Sequence, residues 1–189
     1  MHFLFWKVPR EKVSEFKFYE FLRDYHQKDN KHNPKANTNG TEDIIAILDG
    51  QQRMTSLYIA LKGTYAYKMS YKRWDNPAAY PKRKLYLNLL AASDDADMFY
   101  DFLFLTEEEA KNIKNDNNEY EGSFWFPVGK ILDFREESDV NDYLIDNDLN
   151  TVADKAQAKF ANKALFKLYS VIHNKQYHKL LFGREHRTG

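Results

Sequence analysis

Asp49, Gly50, Gln51, Gln52 and Arg53 follow one another directly, with Thr55 and Ser56 just beyond. Each has a chemistry of its own. Arg53 offers a planar, permanently charged fork suited to phosphate. Gly50 can take a positive φ and lets a ligand approach the backbone. Gln51 and Gln52 can orient a water or read a base edge, and Asp49 can hold Mg2+ or a ribose hydroxyl. Thr55 and Ser56 add hydroxyls nearby. The same run also suits a plain turn, since Asp-Gly is a common corner and either residue caps helices. A cap, however, needs one side chain, not four.

Two elements must position these groups. Ile44 to Leu48 is short, branched and apolar, which predicts a strand buried on both faces. Met54, Leu57, Tyr58, Leu61 and Tyr65 recur at helical spacing and predict an amphipathic helix. The polar run therefore sits where a strand turns into a helix. The first turn of that helix carries unpaired N–H groups and the positive end of the dipole, a natural anion site.

The run Ile47-Leu48-Asp49-Gly50-Gln51-Gln52-Arg53-Met54-Thr55-Ser56-Leu57 resembles the signature of the Asp-Gly-Gln-Gln-Arg domain family. That family belongs to the ParB and sulfiredoxin-like superfamily and includes GmrSD-type modification-dependent restriction proteins. Weaker echoes lie in Phe3-Leu4 before the motif and Phe124-Trp125-Phe126-Pro127 after it. The resemblance implies a domain that binds and hydrolyses nucleoside triphosphates, with Mg2+ as cofactor, and gates a nuclease carried elsewhere in an anti-phage defence protein. It places Asp49, Gln52 and Arg53 in catalytic roles. Gly50, Gln51, Gln52, Arg53 and Thr55 become nucleotide-binding residues and Asp49 the metal ligand.

The chain also departs from the family pattern. An upstream Ile-Pro segment followed by Gln-Arg, and a downstream Arg-Ile-Asn segment, are not found. The expectation is a fragment whose N-terminal lead-in and partner nuclease or C-terminal domain lie elsewhere. DNA would be met through the full-length protein.

Among 189 residues, 28 basic side chains balance 28 acidic ones, so no global field draws the chain to nucleic acid. There are no cysteines, which excludes disulfides, thiol nucleophiles and cysteine zinc sites. The 13 Tyr, 14 Phe and 3 Trp give aromatic weight for a core. No signal peptide or membrane span is visible, and a cytoplasmic protein is expected. The six His are scattered without zinc spacing, and no Walker-type phosphate loop or nucleophile elbow occurs.

In chain order, Phe3 to Val8 predicts a strand closed by Pro9, and Val13 to His26 a helix capped by Ser14. Gln27 to Glu42 is rich in breakers and predicts a loop. Between Tyr65 and Leu85, six cations oppose only Asp75, and Tyr67, Tyr71, Trp74 and Tyr80 are interleaved. Lys72, Arg73, Trp74, Lys82 and Arg83 are thus candidates for a nucleic-acid groove, although such runs also form solvated connections. Leu85 to Leu90 predicts a strand pairing with the Ile44 strand, and Met98 to Leu105 and Phe124 to Val128 two more. Thr106 to Glu109 opens a short helix, Asn112 to Gly122 is turn-rich, Ser138 caps another helix, and Asp154 to Leu181 reads as a long one. Residues Gly183 to Gly189 form a polar tail. The predicted class is α+β. Residues 1–135 would form a small ParB/sulfiredoxin-like mixed sheet around the strand–Asp-Gly-Gln-Gln-Arg–helix corner, and 136–189 a helical extension. A non-catalytic DNA- or partner-binding module, or an inactive fragment of such a protein, is the rival reading.

Overall fold

The computed structural model describes residues 3–38, 42–112, 123–152 and 154–173. It is an α+β structure with two compact units, one of residues up to Lys84 and one from Leu85 onward. In the first unit, β1 (Leu4–Val8) pairs antiparallel with β3 (Ile44–Asp49), Phe5 opposite Ile47 and Leu4 opposite Asp49. A short helix, α1 (Arg10–Val13), follows β1 and buries Val13. Strand β2 (Asp24–His26) runs parallel to β4 (Thr64–Ala66), and α2 (Gln51–Leu61) joins β3 to β4. Helix α2 buries Met54, Ile59 and Leu61, with Leu57 and Tyr58 half-buried.

Several expectations fail here for physical reasons. The helix predicted from Val13 to His26 is absent. Its aromatic residues are indifferent helix formers, and long-range contacts claim them instead. Phe16 meets Trp6 edge-on at 4.9 Å, and Tyr25 stacks on Tyr65 at 4.6 Å. Asp24 fixes β2 by accepting from the Thr64 amide at 2.9 Å and its hydroxyl at 2.7 Å. Helix α2 stops at Leu61, and Tyr65, expected on its stripe, lies in β4. Strand β3 is not buried on both faces: Ile45 is 71% exposed and Leu48 55%. It sits in a two-stranded ribbon with β1, and among the described residues those side chains stay exposed.

The second unit is built on β5 (Lys84–Ala92), flanked in one sheet by β6 (Tyr100–Leu105) and β7 (Trp125–Pro127). The expected pairing of β5 with β3 does not form. The strands make three small sheets rather than a single mixed one. Buried Asn88 holds β5 in place, its Oδ1 accepting from the amides of Leu90 (3.0 Å) and Phe124 (3.2 Å). Helix α3 (Glu107–Asn112) begins as predicted. The Thr106 hydroxyl accepts from the Glu109 amide, and the Glu109 carboxylate accepts from the Thr106 amide.

Helix α4 (Glu137–Asp146) starts one residue before Ser138, so Ser138 is not its cap. Glu136 occupies the cap position, and Asp139 in the first turn accepts from the amides of Arg135 (2.6 Å) and Glu136 (3.2 Å). Helix α5 (Lys155–Ile172) is capped by Asp154, which accepts from the Ala156 amide. It buries Ala161, Ala164, Leu165 and Ile172. The core gathers Phe126, Ile131, Leu144, Leu149 and Leu165, all fully buried. The predicted helical continuation to Leu181, the 183–189 tail and most of the 112–122 turn segment lie outside the described residues. Among the described residues, no helix is long and apolar enough to cross a membrane.

Candidate functional site

The polar run folds as a corner. Strand β3 ends on Asp49, and Gly50 turns the chain at φ 88°, in the left-handed region that glycine tolerates best. Helix α2 starts at the next residue, and no side chain caps it. Its first turn therefore leaves N–H groups with no intrahelical acceptor. Asp49 is followed at once by its own helix, so four residues on it meets Arg53. Arg53 Nη2 lies 3.2 Å from Asp49 Oδ2. Both side chains are accessible, Arg53 at 45% and Asp49 at 72%.

Residues Leu48 to Arg53 line an open cleft of about 490 Å3. Each lining residue adds a different feature. Gln52 is exposed. Gln51 is tied back, its Nε2 donating to the Ile47 carbonyl at 2.8 Å, which braces the end of β3 against the helix. Thr55 is half-buried on the following turn and is not among the residues lining the cleft. Ser56 donates its hydroxyl to the Gln52 carbonyl inside the helix, a local bond rather than a free group.

Phe3 is the one member of the site that reasoning from residue types missed. The Arg53 guanidinium sits 5.6 Å from the Phe3 ring centroid. The same ring closes over Gly50, where a Cβ would come within 2.6 Å of Phe3 Cδ1. The signals in the chain are the apolar character of Phe3-Leu4 ahead of the strand and its weak echo of the family pattern. The closeness of Phe3 to the corner follows from the β1–β3 register, which sets its neighbour Leu4 opposite Asp49, 45 residues on in sequence.

Among the residues lining the cleft, Asp49 supplies the carboxylate a metal could use. Among the described residues, no three His, Cys, Asp or Glu side chains gather as a metal site. The donor set fits Mg2+ only as an ion shared with phosphate oxygens and water, the usual manner of Mg2+ with nucleotides.

The basic, aromatic segment divides. Lys72, Arg73, Trp74 and Lys82 are exposed. Arg83 is not: it is 3% exposed, lies 4.1 Å over the Tyr67 ring and donates to the carbonyls of Tyr67 and Pro81. A guanidinium spent this way braces its own loop and is not offered to a nucleic-acid phosphate. Tyr80, also buried, packs its ring 4.8 Å from His26.

A strand ending on an acid, a left-handed glycine and an uncapped helix with arginine in its first turn define an α+β domain with an anion-receptive corner. The chain belongs to the family of the GmrSD restriction endonuclease N-terminal domain, whose model matches residues 3–184. That span contains the corner, Phe3 and the basic segment. No protein of curated function matches the chain.

Proposed function

We propose that the Asp49–Arg53 corner binds a nucleoside triphosphate and that the domain hydrolyses it to gate a restriction nuclease in the cytoplasm. The observation that carries this is the cleft itself, where an accessible arginine and an uncapped helix N-terminus share one opening behind a glycine that admits close approach. Membership in a restriction family supports the setting, and the resemblance to ParB-like nucleotide-binding domains supports the ligand.

The ion pair fits the reading. An accessible pair of this kind contributes about 0–1 kcal/mol, so exchanging it for a polyanion costs little. Arg53 would turn from Asp49 to the phosphates, joined by the first-turn N–H groups. Asp49, released, would hold Mg2+ together with the phosphate oxygens. The ion, when bound, neutralises phosphate charge. Gln52, exposed at the rim, would orient the attacking water, and Gln51 would keep the strand end rigid. Catalysis would then rest on positioning and charge stabilisation.

Calorimetric titration of the full chain with a non-hydrolysable triphosphate and Mg2+ tests this. Saturable binding that is lost in Arg53→Ala, with an unchanged melting curve, is the expected outcome. Equal affinity in a folded Arg53→Ala variant would overturn the assignment.

A further inference from the structure

The loop between β4 and β5 has no part in the corner chemistry. Its tip carries Tyr71, Lys72, Arg73 and Trp74 in succession, all exposed. Tyr71 is fully solvent-accessible, at 105% of its reference area, and Trp74 is 56% exposed. Tyr71 also holds φ at 63°, a left-handed conformation disfavoured for any residue with a Cβ. Neither feature serves packing, since the ring buries nothing.

The loop is nevertheless held firmly from below. The Lys68 amide donates to Gln27 Oε1 at 2.7 Å, and its Nζ donates to the carbonyls of Met69 (3.0 Å) and Lys72 (2.8 Å). The same ammonium lies 5.4 Å from the Trp74 ring centroid. Buried Tyr80 donates its hydroxyl to the Trp74 carbonyl at 3.1 Å, and the Met69 amide donates to Ala79. A strained residue kept in place by such contacts points to use rather than slack.

We propose that this tip is a contact site for single-stranded nucleic acid. Lys72 and Arg73 bind backbone phosphates, and the Tyr71 and Trp74 rings stack on unpaired bases. A cation pair set between two exposed rings matches a polyanion that carries planar groups. A base within a duplex has both faces covered, whereas a strand with unpaired bases offers them. The chain as a whole is neutral, so attraction for a polyanion here comes from the patch itself and not from a global field. The tip residues from Tyr71 to Asn76 include no aliphatic side chain that could enter a bilayer.

Fluorescence anisotropy with a labelled single-stranded oligothymidine, across a salt series, tests the site in the full chain. Tyr71→Ala should weaken binding by about 5- to 150-fold, the range for one lost base stack. Tyr71→Phe should bind as the wild type does. Tyr71→Gly, which relieves the backbone but removes the ring, should match the alanine variant. The Lys72→Ala/Arg73→Ala double variant should flatten the log–log salt dependence by about 1.4, for two lost phosphate contacts. The alanine, phenylalanine and double variants should melt as the wild type does, Tyr71→Gly should melt no lower, and Arg53→Ala should leave this binding intact. Absence of binding at low salt would overturn the proposal, as would equal affinity across the folded Tyr71 and double variants. Binding to anionic phospholipid vesicles without oligonucleotide binding would reassign the tip to a membrane surface.

Discussion

Gly50 sets the geometry of the corner through what it lacks. Its φ of 88° and the Phe3 ring directly over it leave no room for a methyl group. Gly50→Ala is expected to destabilise the protein by about 1–3 kcal/mol and to weaken triphosphate binding by displacing Phe3 and Arg53. Urea denaturation and the calorimetric titration would read the two effects separately. Asp49 and Arg53 predict a different signature. With the acid neutralised in Asp49→Asn, Arg53 loses the charge of that carboxylate. Triphosphate without metal should then bind more tightly than to the wild type, and the gain on adding Mg2+ should shrink. Tighter metal-free binding follows only if Asp49 competes with phosphate for Arg53. Titrations with and without Mg2+ would show an unchanged metal dependence if Asp49 has no part in holding the ion.

The elements around the corner depend on a few close fits and local charges. Gly63, between α2 and β4, would place a Cβ 2.0 Å from the Arg23 carbonyl oxygen and 3.0 Å from Ile59 Cα. Backbone cannot yield as a side-chain tip can. Gly63→Ala should therefore cost at least about 1–3 kcal/mol, read as a lower urea midpoint. At α4, the amides of Arg135 and Glu136 hold the Asp139 carboxyl below its ordinary 3.8. A carboxyl depressed in the folded state stabilises above its unfolded pKa, and that support is lost as pH falls through the folded value. Stability should thus drop as pH falls below about 3.8, and Asp139→Asn should remove part of that drop. Asp43 is lowered in the same way, first by its bond from Lys7 and then by the Arg10 amide. It leaves a residual acid sensitivity in the Asp139 variant. Urea midpoints across acid pH would separate the two.

At the scale of the whole molecule, equal numbers of acids and bases make every charged interaction a local one. The corner and the Tyr71 tip therefore act through their own side chains rather than through a global field. Stability rests on burial, and Leu165, fully buried in α5, is a fair probe of it. Leu165→Ala should cost about 2–5 kcal/mol, seen as a lower denaturation midpoint with little change in the slope. An unchanged midpoint would mean that Leu165 is not packed in the core.

Local order in the chain determined a good deal. The strand–corner–helix at Asp49 to Arg53, strand β1, strands β5 to β7, the Thr106 start of α3 and the Asp154 start of α5 follow from spacing and capping within a few residues. Such patterns are set by neighbours in sequence, so they can be read from it. Pairing is different. That β3 joins β1 and not β5, that Asp24 to His26 form a strand beside β4 rather than a helix, and that Arg83 turns inward onto Tyr67 all depend on partners distant in sequence. So does Phe3 over Gly50, and with it the shape of the cleft. Hydrophobic contact is non-directional, and a run of aromatics suits several partners equally well by composition. Only the tertiary structure, by bringing particular rings and carbonyls within a few ångströms, selects one.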